Sequence, residues 1–280
     1  MFVRRRSAPR GPAARLRIFM ALIVAGAALF GYLTTRSTNP ITGEAQNVAM
    51  TVDQEIAMGL QAAPDMADQF GGMDSDRAGQ ARVDAIGARL LSGYNGLDRS
   101  PYVFEFHLLA DPQTLNAFAL PGGQIFITAG LYRRLETDGQ LAGVLAHEIG
   151  HVIERHGAQH LAKEQLTQGL TGAAVIATYD PNDPASRNTA QVAALLGTLV
   201  NMRYGRNDEL ESDRWGVRLC HAAGYDPRAM IRVMEILAEA AGPDRPPEFF
   251  STHPNPEHRI ERIEQAIGEE FPDGIPSLEP

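Results

Sequence analysis

The sequence predicts an α+β fold that is mostly helical. Apolar residues recur at steps of three and four over several segments, which is typical of helices that pack on a core. Two short β-rich segments lie near each other in the middle of the chain. A single uncharged stretch precedes them near the N-terminus. These observations predict a helical domain with a small sheet, placed after an apolar N-terminal segment.

The N-terminal 35 residues divide into a basic part and an apolar part. Residues 1–17 contain six arginines and no acidic residue, whereas residues 18–35, IFMALIVAGAALFGYLTT, carry no charge. At about 1.5 Å per residue, a helix of this length nearly crosses a roughly 30 Å hydrocarbon layer. We therefore expect a cytoplasmic basic region and a transmembrane anchor, with the remainder exported. The alternative is a cleaved signal peptide, because Ala25-Gly26-Ala27 offers a small-residue cleavage pattern.

The rest of the chain is expected to form a linker, one domain and a tail. Turn-forming residues at 36–50 predict the linker, the domain is expected at 51–270, and residues 271–280 form the tail. Thr51-Val52-Asp53-Gln54 has the pattern of a capping box, so the first helix of the domain should begin there. Further elements follow from periodicity and breakers. Helices are predicted near 78–91, from 139, over 166–177, over 189–202, over 227–240 and after 256, and strands within 102–109 and at 124–128.

Charge and cysteine content exclude some functions. The formal net charge is −9, and the arginine-rich segment at the N-terminus is not matched by a basic face in the rest of the chain. We therefore do not expect a nucleic acid partner. Cys220 is the only cysteine, so an intramolecular disulfide is impossible, and cysteine usage does not identify the compartment.

The segment LAGVLAHEIGHVIERH, residues 141–156, contains the candidate catalytic motif. On a helix, His147 and His151 project from one side about 5–6 Å apart, so both imidazoles can bind one ion. Glu148 lies next to the first histidine and can approach a water at that ion. This H-E-x-x-H arrangement is typical of zinc proteases, in which zinc lowers the pKa of water and the glutamate accepts its proton. The alternative is two histidines on a solvated helix face.

A catalytic zinc requires a third protein ligand, and the nearby candidates are unsuitable. Glu154 lies on the same helix face as both histidines, and three ligands along one straight helix do not surround an ion. His156 points about 140° away from His151 around a continuous helix, so we expect His156 and His160 at the surface. The ligand is therefore expected from a second helix.

The acidic segment RNDELESDRW, residues 206–215, supplies this second helix. Glu209 and Asp213 share a helix face at i, i+4, so Glu209 can bind zinc while Asp213 accepts the free N–H of a ligand imidazole. Glu211 points to another side. A His, His, Glu set with a fourth position for water favours a catalytic site over a structural one, which Cys and His usually close.

The segment NAFALPGG, residues 116–123, is a candidate substrate-binding strand. A short strand that ends at Pro-Gly-Gly suits an exposed sheet edge, where an extended peptide adds through main-chain hydrogen bonds. Asn116, Ala117, Phe118 and Ala119 would form that edge. Backbone recognition of this kind favours unfolded proteins. The alternative is a plain hairpin strand.

These motifs together resemble the HtpX, BepA, OMA and type I CAAX prenyl protease group of zinc metallopeptidases, peptidase family M48. The resemblance rests on HEIGH, on NAFALPGG, and on STHP at 251–254 with Arg259 after it. It also rests on the R-x-x-E-x-x-A-D pattern, which Arg206, Glu209 and Asp213 match. It covers about residues 39–262. The chain looks like a single-span exported bacterial member. Ser212 departs from the usual alanine, at a position that is not a ligand.

The resemblance implies a gluzincin-type domain with a small β-sheet whose edge strand lies beside the active-site helix. It implies one Zn²⁺ per chain, held by His147, His151 and Glu209. Glu148 would act as the general base, and Asp213 would orient a ligand histidine.

The resemblance also places His253, in STHP, near the metal, where it can occupy the open coordination position. An oxyanion formed during catalysis needs a further hydrogen-bond donor. Tyr204, Arg206 and His253 are the candidates for that role.

The expected function is a zinc-dependent endopeptidase that hydrolyses misfolded or unfolded envelope proteins in quality control. Expected partners are unfolded proteins and the membrane, through the N-terminal segment. The expected location is the bacterial inner membrane, single-pass with the catalytic domain in the periplasm, or the soluble periplasm after signal cleavage. The alternative function is a holdase or assembly factor that binds clients while His253 closes the zinc site. An intact Glu148 favours the enzyme, and the sequence leaves the oligomeric state open.

Overall fold

A computed structural model describes residues 12–97, 100–178, 205–241, 247–253, 258–275 and 278–279. The chain divides into two compact units. The first contains the described residues up to 36 and from 160 to 178, and the second contains the described residues of 37–159 and 205–279. The helix predicted over 189–202 lies outside the described residues.

The first unit contains the apolar N-terminal helix. Helix α1 (Pro12–Thr34) includes Ala14–Thr34, which is long and apolar enough to cross a membrane, with a mean hydropathy of 2.0. Most of its large side chains are exposed, so this helix is not a buried core element. Gly169 approaches it so closely that an added Cβ would lie 2.4 Å from the Cβ of Ala28. One N-terminal helix therefore fits a membrane anchor.

The second unit is mostly helical and includes a small three-stranded sheet, as predicted. The helix expected at Thr51 is confirmed, since Thr51 Oγ1 accepts from the Gln54 N–H and Gln54 Oε1 accepts from the Thr51 N–H. Most of α6 belongs to the first unit. After α1, the elements of both units in chain order are β1 (Arg36–Thr38), β2 (Ala45–Asn47), α2 (Val52–Gln69), α3 (Arg77–Gly93), β3 (Glu105–Leu109), β4 (Ala117–Ala119), β5 (Gln124–Thr128), α4 (Ala129–Tyr132), α5 (Asp138–Ile153), α6 (His156–Thr178), α7 (Arg206–Ala222), α8 (Ala229–Ala240), α9 (Phe249–Thr252) and α10 (Arg259–Glu270).

The three-stranded sheet has the order β3, β5, β4. Strand β5 pairs parallel to β3, with Glu105 opposite Gln124, and antiparallel to β4, with Phe118 opposite Phe126. The central strand β5 is buried along its length, in agreement with the apolar run at 125–127. Strand β4 therefore lies at an edge of this sheet, as the sequence predicts.

Helix α5 runs through the centre of the second unit. Residues 139–153 are all buried, and the helix packs mainly against α7. Gly150 allows this close packing, because an added Cβ would lie 2.9 Å from the Cβ of Trp215 and 3.0 Å from the Cα of Ser212. The small residue thus brings the two helices that contain the predicted ligands into direct contact.

The segments predicted as a linker and a tail both form hydrogen bonds or ion pairs with residues of the domain. In the segment 36–50, the Asn39 side chain donates to the carbonyl of Ile153 at 2.8 Å, and Gln46 donates to the carbonyl of Glu154 at 3.0 Å. These amides donate to carbonyls at the C-terminal end of α5, where a helix leaves carbonyls without intrahelical partners. In the tail, Glu279 pairs with Arg89 at 2.6 Å.

Candidate metal centre

Helices α5 and α7 and the end of α9 bring four potential metal ligands together. His147, His151, Glu209 and His253 each offer a ligand atom, and these atoms lie within 4.8 Å of one another. All four side chains are buried. The two histidines of α5 face one side, as their spacing of four predicts.

The donor atoms converge in a way that suits a zinc ion. The Nε2 atoms of His147 and His151 are 3.1 Å apart, and each lies 3.5 Å from a Glu209 carboxylate oxygen. Two nitrogen ligands of a tetrahedral zinc, each at about 2.0–2.1 Å, would lie about 3.3 Å apart. Glu209 is fully buried, and among the described residues its oxygens have no aligned hydrogen bond. Two imidazole nitrogens and a buried carboxylate that converge at these distances match the donor set of a catalytic zinc, so these residues fit zinc.

The other ring nitrogen of His147 is held by Asp213. Asp213 Oδ1 lies 2.9 Å from His147 Nδ1, which leaves Nε2 directed toward Glu209. Arg259, on α10, donates from Nε and Nη2 to both Asp213 oxygens at 2.9 and 2.8 Å, and its Nη1 lies 3.1 Å from Glu209 Oε2. Arg259 is buried and therefore compensates two buried carboxylates at once.

The pKa values of the site follow from burial and these charges. Burial alone would lower the pKa of His147, but its contacts with Asp213 and Glu209 raise it to about 9. Burial raises the pKa of Glu148 to about 7, against the opposing charge of His147. Burial lowers the pKa of His151 well below its usual range. Burial opposes ionisation of Asp213, yet Arg259 and His147 hold the pKa of this carboxyl below its usual range.

His156 is buried next to His151, so the expectation that it lies at the surface is wrong. Its Nδ1 is 2.9 Å from the Nδ1 of His151, and its Nε2 is 3.2 Å from Glu211 Oε2. The expectation assumed one continuous helix, whereas α5 ends at Ile153 and Arg155 adopts a left-handed conformation with φ of 60°. The break turns His156 back under the motif.

His253 lies over the metal-ligand cluster. Its ring centroid is 5.3 Å from that of His147 and 5.0 Å from that of His151, and its Nε2 is 3.5 Å from Glu148 Oε1. Stacking on Phe249 at 4.5 Å and a backbone hydrogen bond from its own N–H to the Phe249 carbonyl hold it there. The structure thus brings His253 into the candidate site, as the resemblance implies.

The remaining sequence-predicted residues are placed differently. Arg206 is exposed in the first turn of α7, and Tyr204 lies outside the described residues. Glu154 accepts a hydrogen bond from Trp215 Nε1 at 2.6 Å. Arg259 was not predicted as a site residue. Glu209 and Asp213, two acidic residues on one buried face of α7, indicate that a cation is needed nearby.

The edge strand lies beside the motif. Strand β4 packs against α5, the helix that contains Glu148. The structure therefore brings the predicted edge and the predicted base together.

Two facing helices with H-E-x-x-H on one and a glutamate on the other define a class of zinc metallopeptidases. The chain belongs to peptidase family M48, whose model matches residues 77–267. The matched range contains His147, Glu148, His151 and Glu209, the residues that a zinc-dependent peptidase requires.

Several named proteins are similar to this chain. A beta-barrel assembly-enhancing protease of Yersinia pestis is 32% identical over 244 residues, which cover 85% of this chain and 49% of that protein. The protein of the same name from Escherichia coli strain K12 is 31% identical over 252 residues, 86% of this chain and 49% of that protein. The mitochondrial metalloendopeptidase OMA1 of Schizosaccharomyces pombe is 29% identical over 255 residues, 90% of this chain and 72% of that protein. The chain spans about half the length of the beta-barrel assembly-enhancing proteases that it matches.

Proposed function

We propose that the chain is a zinc-dependent endopeptidase that binds unfolded proteins along β4 and hydrolyses their peptide bonds. The observation that supports this most directly is the packing of the edge strand β4 against α5, the helix that contains His147, Glu148 and His151. Substrate main chain and catalytic groups would then meet in one place.

The pairing of β4 indicates which backbone groups face the substrate. The Thr128 N–H donates to the Asn116 carbonyl and the Leu120 N–H donates to the Gln124 carbonyl, so the even-numbered residues from 116 to 120 pair with β5. In an antiparallel pair the intervening residues direct their N–H and C=O groups the other way. Ala117 and Ala119 therefore direct their main-chain groups away from β5. Ala117 is buried, contrary to the expectation of an exposed edge, and Ala119 is half-buried, so an extended peptide would add at Ala119.

The catalytic roles follow from the donor set and the burial of Glu148. His147, His151 and Glu209 would hold zinc, which lowers the pKa of water and polarises the scissile carbonyl when bound. Glu148 takes the proton of the attacking water and then gives it to the leaving amine. A pKa near neutrality suits both transfers. Asp213 keeps His147 in the tautomer that presents Nε2 to the metal.

His253 would control access to this site. As a member of the four-residue cluster, it can supply the fourth ligand and occupy the position that water needs. A latent state results, in which substrate binding or another signal must move α9 before hydrolysis. Our second candidate function is a client-binding holdase or assembly factor. A zinc site closed by His253 would explain why such a protein binds its clients but seldom hydrolyses them.

We propose that the substrates are misfolded proteins of the bacterial envelope. The apolar helix α1 would anchor the chain in the inner membrane, and the arginines before it favour a cytoplasmic N-terminus and a periplasmic catalytic domain. The alternative is a soluble periplasmic form after signal cleavage. The names of the relatives support proteolysis, and two of them associate it with β-barrel assembly.

The deciding experiment compares the full chain with its Glu148→Gln variant in detergent, on an unfolded casein substrate with zinc present. We expect the substitution to abolish cleavage while bound zinc stays at one ion per chain. Glu105→Gln, at an exposed position of β3, is the matched control and should cleave normally. If neither the wild type nor a His253→Ala variant cleaves, and both still bind casein, the holdase replaces the endopeptidase.

A further inference from the structure

The two histidines of the motif are supported by different partners. His147 faces the carboxylate of Asp213, which Arg259 neutralises. His151 faces a third imidazole, that of His156, with 2.9 Å between the two Nδ1 atoms. His156 is fully buried, and its far nitrogen reaches Glu211, whose side chain is 46% exposed.

We propose that His156 is a positioning residue that fixes the ring and tautomer of His151, and that Glu211 in turn fixes His156. This inference rests on the proposed role of His151 as a zinc ligand. When His151 presents Nε2 to the metal, its Nδ1 bears the proton and donates to His156 Nδ1. His156 must then bear its own proton on Nε2, and it donates that proton to the Glu211 carboxylate at 3.2 Å. The surface carboxylate of Glu211 thus determines which nitrogen of His156 bears the proton, and His156 in turn determines which nitrogen of His151 does.

A neutral imidazole suits this position better than a carboxylate. The site already contains the carboxylates of Glu148, Glu209 and Asp213, and among the described residues Arg259 is the guanidinium that contacts two of them. A bound zinc and Arg259 together would balance these three carboxylates, so a further buried anion beside His151 would lack a compensating cation. His156 accepts the hydrogen bond without adding a charge, while the anion that supports it stays at the surface.

The chain trace explains how His156 reaches this place. Arg155 has a left-handed backbone, which is unusual for a residue other than glycine. Its side chain is buried and donates from Nε to Glu55 Oε1 at 3.1 Å, and from Nη2 to the Met50 carbonyl at 2.9 Å. These contacts stabilise a turn that places the first residue of α6 beneath α5. Backbone strain held by surrounding contacts is typical of functional sites.

The test measures zinc affinity rather than proteolysis. All variants are made in the full chain with Glu148→Gln, so that no preparation digests itself, and zinc is titrated against a chelator in detergent. His156→Phe keeps a ring of similar volume and removes the acceptor, whereas His156→Asn keeps an acceptor near the Nδ1 position. His160→Phe, one turn further along α6 and only partly buried, is the matched control.

We expect His156→Phe to weaken zinc binding by about 10–100-fold, the usual effect of losing a partner of a metal-ligand histidine. His156→Asn should restore most of the affinity, and His160→Phe should leave it unchanged. In spectra of ¹⁵N-histidine-labelled protein, the proton signal of His151 Nδ1 should persist in the asparagine variant and be lost in the phenylalanine variant. Unchanged affinity and an unchanged His151 signal in His156→Phe would reduce His156 to a packing residue and overturn the proposal.

Glu211→Ala provides the second variant, because an exposed side chain can be removed without unfolding the protein. A smaller loss of zinc affinity, with a changed His156 Nε2 signal, is expected, and no change in either would refute the role of Glu211. If the parent chain itself binds no zinc, the ligand set proposed above fails together with this inference. If it binds zinc and the His156 variants do so equally, only this inference fails.

Discussion

Glu148 gives the metal-free protein a pH-dependent stability that one substitution should remove. Its pKa is about 7 in the folded protein and 4.5 for an ordinary glutamate. Because the folded-state pKa is raised, ionisation costs the folded state free energy, and stability falls as the pH rises from 4.5 to 7. At about 1.36 kcal/mol per pH unit, the 2.5-unit difference corresponds to about 3 kcal/mol at pH 8. At pH 5 the same relation leaves less than about 1 kcal/mol.

The assay is thermal unfolding of the full chain in detergent with a chelator, at pH 5 and pH 8. Glu148→Gln cannot ionise, so it should be more stable than the wild type at pH 8, by about 6–12 °C in Tm for a domain of this size, and nearly equal at pH 5. Glu105→Gln is the control, because Glu105 is exposed, and should show no such difference. Added zinc should shrink the gap, because a neighbouring cation favours the ionised carboxylate. A variant that gains nothing at pH 8 would refute the burial argument.

Three further predictions concern packing and recognition. Arg259→Met leaves the buried carboxylates of Glu209 and Asp213 without their cation, so it should lower the free energy of unfolding in denaturant by about 3–5 kcal/mol. Arg218→Met removes an exposed ion pair and should lower it by less than about 1 kcal/mol. Gly150→Ala should lower the free energy of unfolding by about 1–3 kcal/mol and weaken zinc binding, because the added Cβ would meet α7. The control Gly172→Ala has no atom within 4 Å of the added Cβ and should stabilise its helix by up to about 1 kcal/mol. Equal effects of the two substitutions would contradict the close packing of α5 and α7. Peptide substrates with single N-methylated amides should show KM raised about 2–10-fold at alternate positions, and a uniform effect would argue against strand addition along β4.

Local pattern predicts the parts of this site that lie within one element. The spacing of His147 and His151 predicts a shared helix face, and the i, i+4 spacing of Glu209 and Asp213 predicts the second one. Both pairs are buried and face each other in the structure. Strand β5 was likewise predicted at its observed bounds, because a short apolar run that follows the turn residues Pro-Gly-Gly is typical of a buried strand.

Contacts between distant segments could not be predicted from local pattern. Arg259 lies 46 residues from Asp213, and nothing in the periodicity of either helix indicates their pairing. The segment 36–50 is rich in turn formers, which predicts a linker, yet Asn39 and Gln46 use the same polar side chains to satisfy the end of α5. Polar turn residues have the same local signature whether they contact water or a helix end.

The misplacement of His156 shows how a local break alters a metal site. Sequence periodicity assigns His156 to the wrong side of α5, because that argument holds only while the helix continues. The helix stops because Arg155 turns inward to Glu55, and Glu55 is itself held by the Tyr102 hydroxyl at 2.6 Å. Helix α2 and Tyr102, three residues before β3, therefore determine where His156 lies beside His151, although neither contributes a metal ligand. The H-E-x-x-H motif specifies which atoms bind the metal, and the buried Glu55–Arg155 pair specifies how one of those atoms is oriented.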